Sequence, residues 1–221
     1  MARQNIGIGT VANDGTGDSI RVAMDKVNDN FIETYQTSMQ RKLALLGSDA
    51  KAFPVLVGIG AELQSFVLID GRASYSAFYL PEAYTLAGLK LVFVGQGDYT
   101  EDNFNGIALY TLAGTTLTQV AISANDANYF KTVAGVVSTI PFTAPYVAAA
   151  GIYYVGYLFN SSAFVKKPIS YATSTGGDYK SALGLNIFPA AYVDAQATLA
   201  ASIDLSGANE ELNSSILSWL Y

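Results

Sequence analysis

The N-terminal quarter of the chain carries a helical pattern of apolar positions. From residue 19 to about residue 40, apolar side chains recur every three or four residues, which places them on one narrow stripe of an α-helix. Asp18 follows a glycine and is a good N-cap for this helix. The stripe predicts an oligomerisation helix that packs against copies of itself or another protein; packing onto the chain's own C-terminal domain is the alternative. The stripe consists of Ile20, Met24, Val27, Phe31, Tyr35 and Met39.

Beyond residue 50 the pattern changes to short apolar runs separated by turn residues. The runs are rich in β-branched and aromatic residues, and no helical pattern interrupts them, which predicts an antiparallel β-sandwich, jelly-roll-like, over residues 51–221. The whole chain is therefore mainly β, with an N-terminal extended segment and a single long α-helix in residues 1–50. The candidate strands are 63–70, 74–80, 88–94, 105–112, 115–122, 133–142, 151–159 and 163–171, with shorter pieces near 183–188, 199–205 and 216–221.

Three local patterns refine the β region. Ala113 and Gly114 separate two alternating runs, which predicts a hairpin. The pentapeptide YTLAG occurs at 84–88 and again at 110–114, which suggests two strand-end turns of similar geometry. Strand 151–159 is apolar on both faces, so its outer face must be covered, and an oligomer interface would cover it.

Composition and charge limit the partners. The chain has 221 residues, of which 51% are hydrophobic, which is ample for a globular core. A net charge of -6 gives no electrostatic support for binding nucleic acid or anionic lipid. No apolar stretch reaches the roughly 18 residues of a membrane span, and the N-terminus has no signal-peptide pattern, so we expect synthesis in a cytoplasm and no membrane insertion.

The chain contains no histidine and no cysteine, which removes the usual bases, nucleophiles and transition-metal ligands. Gly17-Asp18-Ser19 matches the GDS signature of serine hydrolases, but without a histidine no base can accept the proton of Ser19. We therefore expect no enzyme and no cofactor or metal, except that a carboxylate-based glycosidase needs no histidine.

Two further groups of residues have alternative interpretations. Asp98, Glu101 and Asp102 form the densest acidic cluster, which is read as a solvated loop or, alternatively, as a calcium site. Several tyrosines are read as core or interface residues, or alternatively as platforms that stack on sugars. They are Tyr153, Tyr154, Tyr157, Tyr171 and Tyr179.

Residues 5–35, NIGIGTVANDGTGDSIRVAMDKVNDNFIETY, resemble an N-terminal segment of tailed-bacteriophage fibre, whisker and other virion appendage proteins. In that segment a glycine-rich extended stretch leads to Gly-Thr-Gly-Asp, here residues 15–18, and to a helix ending in Asn-Phe and an aromatic, here Asn30, Phe31 and Tyr35. The resemblance implies that residues 1 to about 17 anchor the chain to the particle. The apolar anchor residues would be Ile6, Ile8 and Val11.

Residues 65–170 are similar to a β-domain of phage fibre and capsid-associated proteins, through residues 97–130 and 145–163. This second resemblance implies a homotrimer with jelly-roll-like heads. Together the two imply a structural virion component, a head or tail fibre, whose N-terminus binds other virion proteins and whose β-domain adheres to the host surface or to a glycan. A phage-borne glycosidase or depolymerase, and a purely architectural capsid or neck decoration protein, are the alternatives.

Overall fold

The computed structural model describes residues 22–23, 26–27, 50–52, 62–174, 190–210 and 215–221. The chain divides into two units, Met1–Ala50 and Lys51–Tyr221. In the first unit the four described residues that precede Ala50 are helical, and Val27 of the predicted stripe is one of them. The other predicted site residues of this unit lie outside the described residues: Ile6, Ile8, Val11, Asp18, Ile20, Met24, Phe31, Tyr35 and Met39.

The second unit is built from antiparallel strands, as the sequence predicts for a mainly β chain. Its described part also contains one short 3₁₀-helix, Ala127–Phe130. The strands are β1 (Glu62–Val67), β2 (Ala73–Leu80), β3 (Tyr84–Gly95), β4 (Asp98–Glu101), β5 (Gly106–Ala113), β6 (Thr116–Ile122), β7 (Val137–Ala148), β8 (Gly151–Leu158), β9 (Ser161–Lys166), β10 (Ile169–Ser174), β11 (Ala190–Val193), β12 (Ser202–Asp204), β13 (Asn209–Glu210), β14 (Ser215–Ile216) and β15 (Ser218–Leu220).

The strands form two sheets and a ribbon. One sheet has seven strands in the order β12-β6-β5-β8-β2-β11-β13. The other has six, in the order β1-β10-β3-β15, with β7 also paired to β3 and β14 to β10. Strands β4 and β9 form a separate two-stranded ribbon. A single bridge between Ser123 and Phe142 links the end of β6 to β7, so the two sheets meet at that corner.

Side chains from both sheets share one apolar core. Phe78 and Val155 of the seven-stranded sheet lie in the same buried cluster as Leu89 and Phe93 of the six-stranded sheet. Edge-to-face aromatic contacts extend this cluster, with ring centroids 6.2 Å apart for Phe93 and Phe130. This core holds the strands of both sheets in place. The loops of the functional site, described below, begin at the ends of these strands.

Strand β8 is buried on both faces, as its pattern predicts. Tyr153, Val155 and Tyr157 belong to the core between the sheets, whereas Tyr154 and Leu158 belong to a second cluster on the outer face of the seven-stranded sheet. The predicted division of the strand into two apolar faces is therefore confirmed.

The chain covers part of this outer face, around Gly156, with its own segment 199–208. Tyr79 of β2 lies on the same face and is 54% exposed, so an oligomer interface over the rest of the face stays a prediction. Leu199 is 4% exposed and belongs to the outer cluster. It lies over Gly156, where a Cβ atom would come within 3.2 Å of its Cδ2 atom. The Tyr110 hydroxyl donates a hydrogen bond of 3.0 Å to the carbonyl of Ala200 and holds the segment on the sheet.

Most of the predicted strands are confirmed, with shifted ends. The predicted strand 163–171 is instead two strands, β9 and β10, separated at Lys167 and Pro168, because proline cannot donate a ladder hydrogen bond. The sequence patterns miss the short strands β4 and β11. The candidate strand near 183–188 lies outside the described residues.

The predicted hairpin is confirmed, because β5 and β6 pair across a turn at Gly114 with φ of 63°. The two YTLAG segments do not form similar turns, so that prediction is wrong. Residues 84–88 begin β3, and Gly88 packs so closely on β7 that a Cβ atom would lie 2.8 Å from the Cα atom of Pro141. The same pentapeptide thus serves once as a close-packed strand and once as a strand end.

Candidate functional site

The predicted acidic loop forms a strand at its start. Asp98 and Glu101 are the ends of β4, which pairs with β9 and places Asp98 opposite Lys166. Glu101 lies 3.5 Å from the ammonium group of Lys131. The loop interpretation is therefore wrong for residues 98–101, because the buried Tyr99 anchors this segment to the core; burial raises its pKa. Within the described ranges, no three His, Cys, Asp or Glu side chains are grouped so as to hold a metal ion.

Three of the predicted tyrosines are core residues rather than sugar platforms. Tyr153, Tyr154 and Tyr157 are at most 6% exposed, which confirms the core interpretation for them. Burial raises the pKa of Tyr157, and its hydroxyl shares a hydrogen bond of 2.7 Å with the hydroxyl of Ser218. Tyr171 is half-buried on β10, and Tyr179 lies outside the described residues.

A polar recess lies at one end of the seven-stranded sheet. The ends of four neighbouring strands line up there, since Gly106 of β5 is opposite Leu158 of β8, Leu158 is opposite Ala73 of β2, and Ala73 is opposite Val193 of β11. The loops that follow or precede these residues border an open recess of about 220 Å³. Its polar lining residues are Asp70, Asp102, Asn103, Asn160, Ser161 and Gln196, and the others are Gly71, Ala195 and Ala197.

Three lining residues have the left-handed backbone conformation. The φ angles are 69° for Gly71, 49° for Asn103 and 59° for Ala195. Asn103 and Ala195 are the two non-glycine residues with positive φ in the part of the chain that the structure describes. For alanine this conformation costs on the order of 1 kcal/mol, and such strain is concentrated at functional sites. A hydrogen bond of 2.8 Å from the N–H of Gln196 to the carbonyl of Gly71 holds two of these loops together.

The side chains of the buried Asn105 and the exposed Asn125 join the loops beneath the recess. Asn105 is 1% exposed; its Oδ1 accepts a hydrogen bond of 3.0 Å from the N–H of Asn160, and its Nδ2 donates one of 3.1 Å to the carbonyl of Asp102. The side chain of Asn125 bonds both the N–H of Asn105, at 2.8 Å, and the carbonyl of Asn103, at 3.0 Å. Amide groups therefore fix the relative positions of three loops.

The Asn160 side chain is anchored through one end only. The residue is 4% exposed, and its Nδ2 donates to the carbonyl of Phe104 at 2.8 Å. None of the described residues donates a hydrogen bond to its Oδ1. A Cβ atom on Gly71 would lie 3.9 Å from this oxygen, so the missing side chain of the glycine keeps the space beside it open. Asn160 thus presents an acceptor to the recess.

Two carboxylates also line the recess with one oxygen each engaged by a backbone N–H. Oδ1 of Asp70 accepts a hydrogen bond of 2.8 Å from the N–H of Ser161. Oδ1 of Asp102 accepts one of 2.8 Å from the N–H of Asn103. Both aspartates are exposed, and their neighbours are polar, unlike the apolar surroundings of a glycosidase acid.

The rim carries an arginine whose charge is balanced. Arg72 follows Gly71, and its guanidinium group contacts Asp194 at 2.8 Å and stacks on the ring of Tyr192, 3.7 Å from the centroid. Of the described residues that line the recess itself, none is lysine or arginine. The recess therefore offers acceptors and neutral amides, with a negative electrostatic potential.

Of these lining residues, Asp102 alone belongs to the acidic cluster that is visible in the sequence. The signal for the others is the recurrence of Asp, Asn or Gly where a strand ends, as in Asp70-Gly71, Asn160 and Asp194. Only the pairing of the strands shows that these ends meet.

Comparison with known proteins finds no match among protein-family models, curated proteins or solved structures. In the part of the chain that is described, no helix is both long enough and apolar enough to cross a membrane.

Proposed function

We propose that the chain is a structural component of a bacteriophage virion, a homotrimeric head or tail fibre. Residues 1 to about 17 attach it to the particle, residues 19–40 form one long oligomerisation helix, and the β unit, a jelly-roll-like sandwich, projects for adhesion to the host surface or to a glycan. The resemblance of residues 5–35 to phage appendage proteins supports the attachment and the location in the virion.

The observation that carries this proposal is the internal cover of the β unit. Leu199 and Leu205 of segment 199–208 cover the outer face of the seven-stranded sheet around Gly156, and the opposite face lies in the core shared by the sheets. This cover leaves less of the sheet for association, which favours the narrow apolar stripe of the helix as the contact between copies. Val22, Ala23, Lys26 and Val27 are helical, in agreement with that stripe.

The oligomerisation helix is tested by one charge on each of its faces. Phe31→Asp places a carboxylate on the stripe, whereas Val22→Asp places one on the opposite face, where Val22 is 44% exposed. In sedimentation equilibrium we expect the wild type and Val22→Asp to have three times the chain mass of 23.4 kDa, and Phe31→Asp to have the mass of one chain. The circular-dichroism spectrum of Phe31→Asp should still show the β structure of the wild type. A trimeric Phe31→Asp variant would contradict the proposal.

The attachment segment is tested by deleting residues 1–17. We expect the shortened chain to remain trimeric but to be missing from purified particles, because the deletion removes the anchor and spares the helix. A full-length chain with Val22→Asp serves as the control and should be incorporated normally. Normal incorporation of the deleted chain would refute the anchor.

A phage-borne glycosidase is the second candidate, because Asp70 and Asp102 border one recess. It requires two carboxylates that act on one glycosidic bond. Release of reducing ends from host polysaccharide by the wild type, lost in Asp102→Asn, would favour this candidate over adhesion.

A further inference from the structure

We propose that the recess lined by Asp70, Asp102, Asn103, Asn160, Ser161 and Gln196 binds a neutral sugar ring through its hydroxyl groups. The inference rests on the proposed adhesive function and assigns the ligand class and the site. It starts from the backbone, since the described non-glycine residues with positive φ both line this one recess. The side-chain amides of Asn105 and Asn125 beneath it hold the loops in place. A site formed in advance avoids the entropic cost of ordering loops when a ligand binds.

The exposed acceptors match the donors of a polyol. Asp70 and Asp102 each bind a backbone N–H through Oδ1, which leaves Oδ2 directed to solvent or ligand, and Asn160 adds an Oδ1 that receives no hydrogen bond from any described residue. Carboxylate oxygens form strong hydrogen bonds with hydroxyl groups. The amide of Asn103 adds donors to this acceptor set, and Gln196 adds one N–H beside the one that Nε2 donates to the carbonyl of Asp194 at 3.0 Å.

The charge and the size of the recess limit the chemical class of the ligand further. Since no lysine or arginine belongs to the described lining and Arg72 is paired with Asp194, the recess disfavours phosphate, sulfate and acidic sugars. The recess has a volume of about 220 Å³, well above the roughly 10–15 Å³ that one water needs in this measure and below the roughly 300–1,000 Å³ of larger ligand pockets, which suits one ring rather than a bare ion or an extended chain. The site therefore takes one neutral residue of a glycan, and three copies on a trimer would add avidity.

The test is saturation-transfer-difference NMR on the full chain in EDTA. The probes are glucose, galactose, mannose and N-acetylglucosamine, at concentrations of about 10 mM to detect a Kd of about 1 mM. We expect at least one of these sugars to bind, and Asp102→Asn to weaken it about tenfold, the effect of losing one charge-assisted hydrogen bond. Asp98→Asn is the matched control, because it makes the same change at an exposed acid outside the recess and should bind as the wild type does.

Four results would overturn the inference. The first is that none of the four sugars binds, and the second is that Asp102→Asn binds a sugar as tightly as the wild type does. The third is that N-acetylneuraminic acid binds as strongly as the neutral sugars. The fourth is that Ca²⁺ added alone shifts the amide signals of the recess while no sugar binds. The last result would identify a cation site instead. None of them affects the trimer mass or the incorporation into particles, so failure of the sugar site is distinguishable from failure of the proposed function.

Discussion

Replacing Leu199 by alanine tests whether segment 199–208 is an integral part of the β unit. Leu199 is 4% exposed, and its side chain lies over Gly156 on the outer face of the seven-stranded sheet. The main chain of the segment is also held, because the N–H of Gln119 donates a hydrogen bond of 2.9 Å to the carbonyl of Ala201. The substitution removes apolar contact and leaves these hydrogen bonds in place.

The expected loss of unfolding free energy follows from the buried side chain. Leu199→Ala removes three buried carbon groups of the side chain. The burial of each contributes about 0.8 kcal/mol to the free energy of unfolding, so their loss costs about 2.4 kcal/mol. Leucine-to-alanine substitutions at sites that cannot relax cost up to about 5 kcal/mol because a cavity remains. A covering segment can settle onto the sheet, so we expect a loss near the lower value, about 2.5 kcal/mol.

Urea unfolding followed by the fluorescence of Trp219 measures this loss. Trp219 is the single tryptophan and is 1% exposed, so its emission reports directly on the core. With a slope of about 2 kcal/mol per molar urea, the midpoint should fall by about 1 M. Val165→Ala is the control, since Val165 is 78% exposed and should change stability by less than about 0.5 kcal/mol. A loss below about 1 kcal/mol in Leu199→Ala would refute the statement that segment 199–208 is an integral part of the β unit.

Three further predictions concern stability. Asn105→Ala leaves the buried N–H of Asn160 and the partly buried carbonyl of Asp102 without their side-chain partner and should lose about 2–4 kcal/mol in urea unfolding; an unchanged midpoint would contradict the amide network. Burial raises the pKa of Tyr110 to about 12, so the contribution of its protonated hydroxyl to stability is complete below pH 10 and is lost as the pH rises towards 12; equal urea midpoints at pH 8 and pH 11.5 would count against this. Gly88→Ala places a methyl group against the backbone of Pro141 and should lower the melting temperature by several degrees or prevent folding, whereas a wild-type melting curve would show that β3 and β7 are less closely packed.

The sequence predicts the strands well where one period holds over a whole strand. Strand β8 alternates between two apolar faces, and both faces are buried as that pattern requires. Short strands such as β4 and β11 have too few residues to establish a period, and only their partners in the sheet define them.

The pattern on β8 says that a face is covered but does not say by what. Segment 199–208 consists mostly of small or polar residues, with Leu199 and Leu205 as its buried anchors. The sequence predicts a short strand near 199–205, which β12 confirms, but no local signal shows that Leu199 and Leu205 pack onto the face of the sheet. The cover is a tertiary contact, and its prediction requires the fold.

The recess was predictable only in part, for a similar reason. Asp102 belongs to an acidic cluster in the sequence, but the partners that it meets in space come from loops around residues 70, 160 and 196. The left-handed conformation of Ala195 has no sequence signal, since alanine disfavours it. It is imposed by the surrounding hydrogen bonds, which form only when the strand ends are aligned.

The asparagine network beneath the recess has a consequence for the medium in which the chain works. Asn105 and Asn125 link the loops through neutral amides, which neither gain nor lose a proton and are little affected by dissolved salt. Loops held by ion pairs would loosen in brine or in acid as the charges are screened or protonated. The amide links at this loop end should therefore persist from fresh water to concentrated salt and through mild acid, whereas the ion pair of Arg72 with Asp194 on the rim should weaken under the same conditions.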